Sequence, residues 1–121
     1  MGETKTLILG ATTNPARYAH LAAHRLVNAG YAIVNVGVKC GEVAGVAIQP
    51  AAEVLPDIDT ITLYIGPQRQ SEYYDYILKT NPRRIIFNPG TENPELEALA
   101  TESGIETVEA CTLVLLSTGQ Y

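Results

Sequence analysis

Short runs of Ile, Leu and Val alternate along the chain with longer stretches in which apolar residues recur every three or four positions. That alternation predicts strands joined by crossover helices. The strands fall at Thr6–Leu9, Ala32–Val36, Val46–Ile48, Thr60–Ile65, Arg84–Phe87 and Ile105–Val108. Polar residues rarely interrupt them, as expected of a parallel sheet covered by helices on both faces. The pattern predicts an α/β fold with three layers and a mostly parallel sheet.

A first helix is predicted from Ala16 to Ala29, entered through Pro15 and left at Gly30. At about 100° per residue, Tyr18, Leu21, Ala22, Leu26 and Ala29 share one face, and Arg17, His20, His24 and Asn28 share the other. A second helix is expected to begin near Pro67 and end before Asn81-Pro82. The third follows the cap-like pair Asn93-Pro94 and stops at Gly104. Short helical turns are expected over Ala51–Leu55 and after Cys111. Short connections and right-handed crossovers favour the strand order 3-2-1-4-5-6, with Val46–Ile48 at one edge. Strands one and four then lie side by side while their helices cover opposite faces, and ligands bind in the crevice that this reversal opens.

At 121 residues the chain has room for one domain, residues 1–121, and 46% hydrophobic against 17% charged residues suits a packed core. Eight Lys and Arg against thirteen Asp and Glu give a net charge of −5. Such a field disfavours nucleic acid and anionic membranes, so any anionic ligand has to be held locally. No apolar run is long enough to span a bilayer and no leader pattern opens the chain, so a cytoplasmic protein is expected. Cys40 and Cys111 stand 71 positions apart, which fits neither a redox pair nor a zinc knuckle.

Candidate chemistry concentrates in Gly10-Ala-Thr-Thr-Asn-Pro-Ala-Arg17, the link from the first strand to the first helix. Amides at a helix N-terminus are unpaired and attract anions. Thr12, Thr13 and Asn14 add donors, and Arg17 adds a forked cation suited to phosphate. The competing reading is an ordinary capped turn, because Gly10 alone represents the glycine fingerprint of dinucleotide enzymes. At the end of the second strand, Asn35 and then Lys39 stand where NAD enzymes use an acidic residue, and an amide followed by a cation suits a nucleotide with extra ribose phosphate. Lys39 as a plain solvated lysine is the alternative. Gly66 and Pro67 open the next helix across the expected crevice, and Asn88-Pro89-Gly90-Thr91 forms another turn on the same rim.

Other features have simpler accounts. His20 and His24 have zinc-compatible spacing but no third ligand nearby, so no metal is expected. Tyr73 and Tyr74 fit a helix packed on a sheet better than an adenine platform. Asp75 and Lys79 are expected to pair on the surface. Cys111 precedes the apolar run Leu113–Leu116, which suggests burial, whereas Cys40 lies in an exposed loop.

Taken together, the chain resembles a known family. The residues that carry the likeness are Gly10, Ala11, Thr12, Asn14, Pro15, Arg17 and Tyr18, then Gly30-Tyr31, then Glu42, Val43 and Gly45. The stretch Asn88-Pro89-Gly90-Thr91-Glu92-Asn93-Pro94, leading to Gly104-Ile105 and Cys111, completes it. In this order they resemble the small stand-alone CoA-binding proteins. Those are single Rossmann-like domains similar to the nucleotide-binding part of the succinyl-CoA synthetase alpha subunit. The resemblance implies CoA or acyl-CoA as the ligand, with Gly10, Ala11, Thr12, Thr13, Asn14 and Arg17 at the phosphates. It further implies Val36, Gly37 and Lys39 by the adenosine, and Ile65, Gly66 and Pro67 along the cleft.

The chain departs from the family at Val36-Gly37, where a proline is common, and at Ala19, where a serine is frequent. It carries neither the phosphohistidine nor the ATP-grasp parts of the CoA ligases. The resemblance therefore implies binding without catalysis of its own, as a sensor, carrier or partner subunit, while a homodimer is expected if the chain is instead an interaction domain. The alternatives are an NAD(P)-binding oxidoreductase-type domain, or an interaction domain with an empty crevice.

Overall fold

Leu7 lies between Val34 and Ile61 in parallel register, at the centre of the sheet. The computed structural model describes residues 5–121. Its strands are β1 (Lys5–Leu9), β2 (Ala32–Val36), β3 (Glu42–Val43), β4 (Val46–Gln49), β5 (Ile58–Leu63), β6 (Arg84–Phe87) and β7 (Glu106–Glu109). They form one seven-stranded sheet in the order β3-β4-β2-β1-β5-β6-β7. The helices are α1 (Tyr18–Asn28), α2 (Pro67–Gln70), α3 (Tyr74–Thr80), α4 (Pro94–Glu102) and α5 (Thr112–Ser117). No helix among the described residues is long and apolar enough to cross a membrane.

Alternate residues of each strand face opposite sides of the sheet; one side is apolar, and the other mixes Ile8, Ile33 and Ile86 with buried Thr6, Asn35, Thr60, Thr62 and Arg84. Leu7, Leu9, Val34, Val36, Ile61, Leu63, Ile85 and Phe87 pack with Ile77 of α3 and with Leu96 and Ala100 of α4. Ile8 and Ile33 pack on the other side with Ala19, Ala23 and Leu26 of α1, joined by Leu116 of α5. Full burial of each such large side chain contributes about 1.5–3 kcal/mol. Because α1 follows β1 on one face and α2 and α3 follow β5 on the other, the chain parts between the carboxyl ends of these two neighbouring strands.

Several expectations are corrected. The expected six-strand order 3-2-1-4-5-6 becomes 3-4-2-1-5-6-7, because Glu42–Val43 forms an additional, antiparallel edge strand. Its two-residue turn places Ala44 and Gly45 at φ of 54° and 82°, and the Asn35 amide braces it by donating to the Val43 and Val46 carbonyls at 3.1 and 3.0 Å. An alanine in a left-handed turn is a weak sequence signal. Asn35 is thus a buried strut, not a contact for ribose.

The helix predicted from Ala16 begins at Tyr18, and its buried residues are Ala19, Ala22, Ala23 and Leu26. Small residues let α1 lie close to the sheet, which rotates Tyr18 outward to 73% exposure and leaves Leu21 at 37%. The helix expected from Pro67 is divided by a 3-10 turn at Ser71–Tyr73. Ala51–Leu55 forms no helix: it lies between Pro50 and Pro56, and the residue before a proline is disfavoured in helical backbone. Asp75 and Lys79 form no ion pair among the described residues, where Lys5–Asp57, Arg83–Asp59 and Arg83–Glu106 are the pairs present.

Candidate functional site

β5 ends at Leu63, two residues earlier than predicted, so Tyr64 and Ile65 belong to the loop that crosses the carboxyl edge of the sheet. Opposite them runs the loop after β1. Gly10 sits there at φ 104°, and a Cβ at that position would lie 3.0 Å from the Tyr64 backbone. Gly37, after β2, is pressed closer still: its Cβ would stand 2.4 Å from the Ala11 carbonyl oxygen. Glycine is required at both points for three loops to meet without side chains between them.

Between these loops opens a cavity of 780 Å³. Gly10, Ala11, Thr12, Thr13, Asn14, Arg17, Gly37, Lys39, Ile65 and Gly66 line it, which brings together ten of the twelve residues singled out from the sequence. Val36 and Pro67 stand outside. Val36 is buried in the sheet, where its carbonyl accepts from the Gly10 and Ala11 amides at 2.9 Å each; Pro67 is the exposed first residue of α2.

The hydrogen bonds of the β1–α1 loop separate engaged amides from free ones. Those of Gly10 and Ala11 are held by Val36; the Asn14 amide donates to Thr12 Oγ1 at 3.1 Å, and the Ala16 amide to Asn14 Oδ1 at 3.0 Å. Among the described residues the amides of Thr12, Thr13, Tyr18 and Ala19 have no acceptor, and no side chain caps the start of α1. All four residues line the cavity. Unpaired amides at a helix start, with the helix dipole behind them, favour an anion.

Charge reinforces this. Arg17, Lys39 and Arg69 line the cavity, and among the described residues no carboxylate does, although the chain carries thirteen. None of the three cations is held in a salt bridge among the described residues. A local cluster of this kind offsets the repulsion that a net charge of −5 exerts on an anion.

The far wall is fixed by a buried polar network that sequence reading did not find. Gln70 Nε2 donates to the Ile65 carbonyl at 3.0 Å and to the Thr91 carbonyl at 2.8 Å, while its Oε1 accepts from Asn93 Nδ2 at 3.0 Å. Asn93 caps α4 by accepting from the Glu95 and Leu96 amides. Arg69, Tyr73, Pro89, Gly90 and Thr91 complete this wall. The only signal for Arg69 was its place two residues inside the helix that Pro67 opens. Tyr64 separates the walls; burial pushes its phenol up to about 12, so it stays protonated at physiological pH.

Cys40 is exposed, and Cys111 is half-buried beyond Pro89 rather than enclosed in the core. The rings of His20 and His24 lie 4.8 Å apart, and among the described residues no three His, Cys, Asp or Glu side chains are grouped to hold a metal.

A family model described as "CoA binding domain" matches residues 4–117 of the chain. A crystal structure of an uncharacterized protein is 53% identical, with a TM-score of 0.95 and full coverage of both chains. A hypothetical protein from Pyrococcus horikoshii is 27% identical with a TM-score of 0.85, over 96% of this chain and 82% of that one. A Thermus thermophilus structure, 22% identical over 98% of this chain and 91% of its own, shares the fold with a TM-score of 0.86. No curated protein matches.

Proposed function

The chain belongs to the CoA-binding domain family, and from that premise we propose that it binds CoA or an acyl-CoA in the crevice between the β1 and β5 loops. The observation that carries this reading is the set of four free amides, on Thr12, Thr13, Tyr18 and Ala19, facing a cavity with three cations and no carboxylate among its described lining. Such a surface suits a diphosphate. Arg17 is the phosphate-side cation. Lys39 and Gly37, at the β2 end, face the adenosine, with Lys39 meeting the ribose phosphate. Ile65 and Gly66 let the flat pantetheine amides lie against backbone. The protein acts in the cytoplasm without catalysis of its own, as a sensor, carrier or partner subunit.

An NAD-type reading has less support, since Asn35 is engaged by the β3–β4 turn and no acid stands at the end of β2. Thermal unfolding with CoA, dephospho-CoA, NAD and NADP tests the proposal. A ligand at a hundred times its dissociation constant adds about 2.7 kcal/mol. CoA is expected to raise the midpoint most and dephospho-CoA less; a larger shift with NAD or NADP, or none with CoA, overturns it.

A further inference from the structure

The crevice does not end at Pro89. A second cavity of 270 Å³ is lined by Tyr18, Tyr64, Asn88, Pro89, Cys111 and Leu113, and it shares Tyr18, Tyr64 and Pro89 with the larger one. Its chemistry is different. The Asn88 side chain is fully engaged: its amide donates to Thr62 Oγ1 and the Leu63 carbonyl at 2.6 and 2.8 Å and its Oδ1 accepts from the Thr112 amide at 2.9 Å. The Tyr64 hydroxyl is buried and has no partner among the described residues, so it is not presented to a ligand in this cavity. What remains is mostly aromatic ring, proline, leucine and one thiol, a surface that fits an apolar group better than a phosphate or a sugar.

Position says which apolar group. The strands run β2-β1-β5-β6-β7 across the sheet. Lys39 follows β2, the phosphate-facing loop follows β1, Tyr64 follows β5, Pro89 follows β6 and Cys111 follows β7. At about 4.8 Å per strand this row covers roughly 19 Å. A long ligand with its adenosine over β2 and its diphosphate over β1 therefore carries its thiol end across Tyr64 to the β6 and β7 side.

Resting on the CoA-binding reading, we propose that this second cavity is an acyl subsite and that the preferred ligand is a short-chain acyl thioester of CoA rather than free CoA. The volume suits that class: an apolar cavity of about 150 Å³ admits benzene, so 270 Å³ accommodates an acyl chain of several carbons.

Calorimetric titration of the full chain with CoA, acetyl-CoA, butyryl-CoA and octanoyl-CoA tests this. Affinity is expected to rise about fourfold for each methylene that enters the cavity, and to stop rising once it is filled. Leu113→Trp, which fills the space, is expected to bring the ratio of butyryl-CoA to CoA affinity down to about one, and Leu113→Ala to move the optimum toward octanoyl-CoA. Measurable CoA binding with a flat acyl series overturns the subsite and leaves the CoA reading standing. An acyl gain unaffected by both variants also overturns it. No binding of any of the four compounds overturns both.

Discussion

Gln70 donates to the carbonyl oxygen of Thr91 across 2.8 Å and so ties the loop after β5 to the loop after β6 from beneath the crevice. Replacing it by leucine leaves the Ile65 and Thr91 carbonyls and one Asn93 amide hydrogen buried without partners. Gln70→Leu is expected to lower stability by about 3 kcal/mol. It is also expected to weaken CoA, because Ile65, Gly66 and Thr91 lose their fixed spacing. Urea unfolding and calorimetry check both; a stable variant with unchanged affinity would show that the wall holds itself.

Three cations share one small volume, and their removal separates their roles. Arg17→Ala and Arg69→Ala are each expected to weaken CoA and dephospho-CoA alike, by about tenfold, the size of one accessible charge-assisted contact. Lys39→Ala is expected to weaken CoA to a similar degree and to leave dephospho-CoA unaffected. Equal losses for both ligands in the Lys39 variant would move the ribose phosphate elsewhere.

Close backbone approach makes Gly37 the least replaceable glycine of the crevice. Gly37→Ala drives a methyl group to 2.4 Å from the Ala11 oxygen and has to displace the β1–α1 loop. A loss of about 2 kcal/mol in stability is expected, along with most of the CoA affinity. The same substitution at Gly90, where no atom lies within 4 Å of a built Cβ, meets only the backbone strain of its φ of 91°. A Gly37 variant that binds normally would refute the requirement for bare backbone.

At the opposite end of the strands, Tyr121 closes the sheet. Its hydroxyl bonds Thr6, its carbonyl oxygen accepts from Arg84 at 3.0 Å, its ring sits 4.6 Å from the Arg84 guanidinium and packs edge-on against Tyr31. Tyr121→Ala is expected to cost about 3 kcal/mol through lost burial and an Arg84 short of partners. CoA affinity of the folded fraction should stay the same, since no contact of Tyr121 reaches the crevice.

Acid weakens one surface contact in a defined direction. The Arg83 guanidinium holds the Asp59 carboxyl below its ordinary range, with Nε–Oδ1 at 2.9 Å. A carboxylate whose folded value is depressed stabilises the protein above the unfolded value, about 3.9, and loses that contribution as pH falls through the folded one. The pair is partly exposed, so the effect stays below about 1 kcal/mol. Arg83→Ala is accordingly expected to shift the urea midpoint at pH 7 and to make little difference near pH 2.5.

Much of this molecule was legible in its sequence because apolar runs and loop punctuation are local. Six strands and the Asn93-Pro94 cap follow from spacing, whereas the set of twelve site residues, ten of which line one cavity, came from the family resemblance. What escaped was nonlocal. The β3–β4 turn depends on Asn35 bracing it from another strand, and the wall with Arg69 depends on Gln70 reaching residues 21 and 23 positions away. The rotation of α1 that exposes Tyr18 was hidden too: its alanines scored as weakly apolar, yet close packing chose them over Tyr18 and Leu21. No periodicity records such preferences.

β7 forms one margin of the sheet, opposite β3, and its first and last residues, Glu106 and Glu109, are both exposed. A neighbouring copy adding its own β7 there would align four carboxylates along a ladder of backbone bonds. Edge-to-edge growth into larger aggregates is therefore penalised at neutral pH. Concentrated solutions are expected to stay clear better at low salt than at high salt, which screens that repulsion.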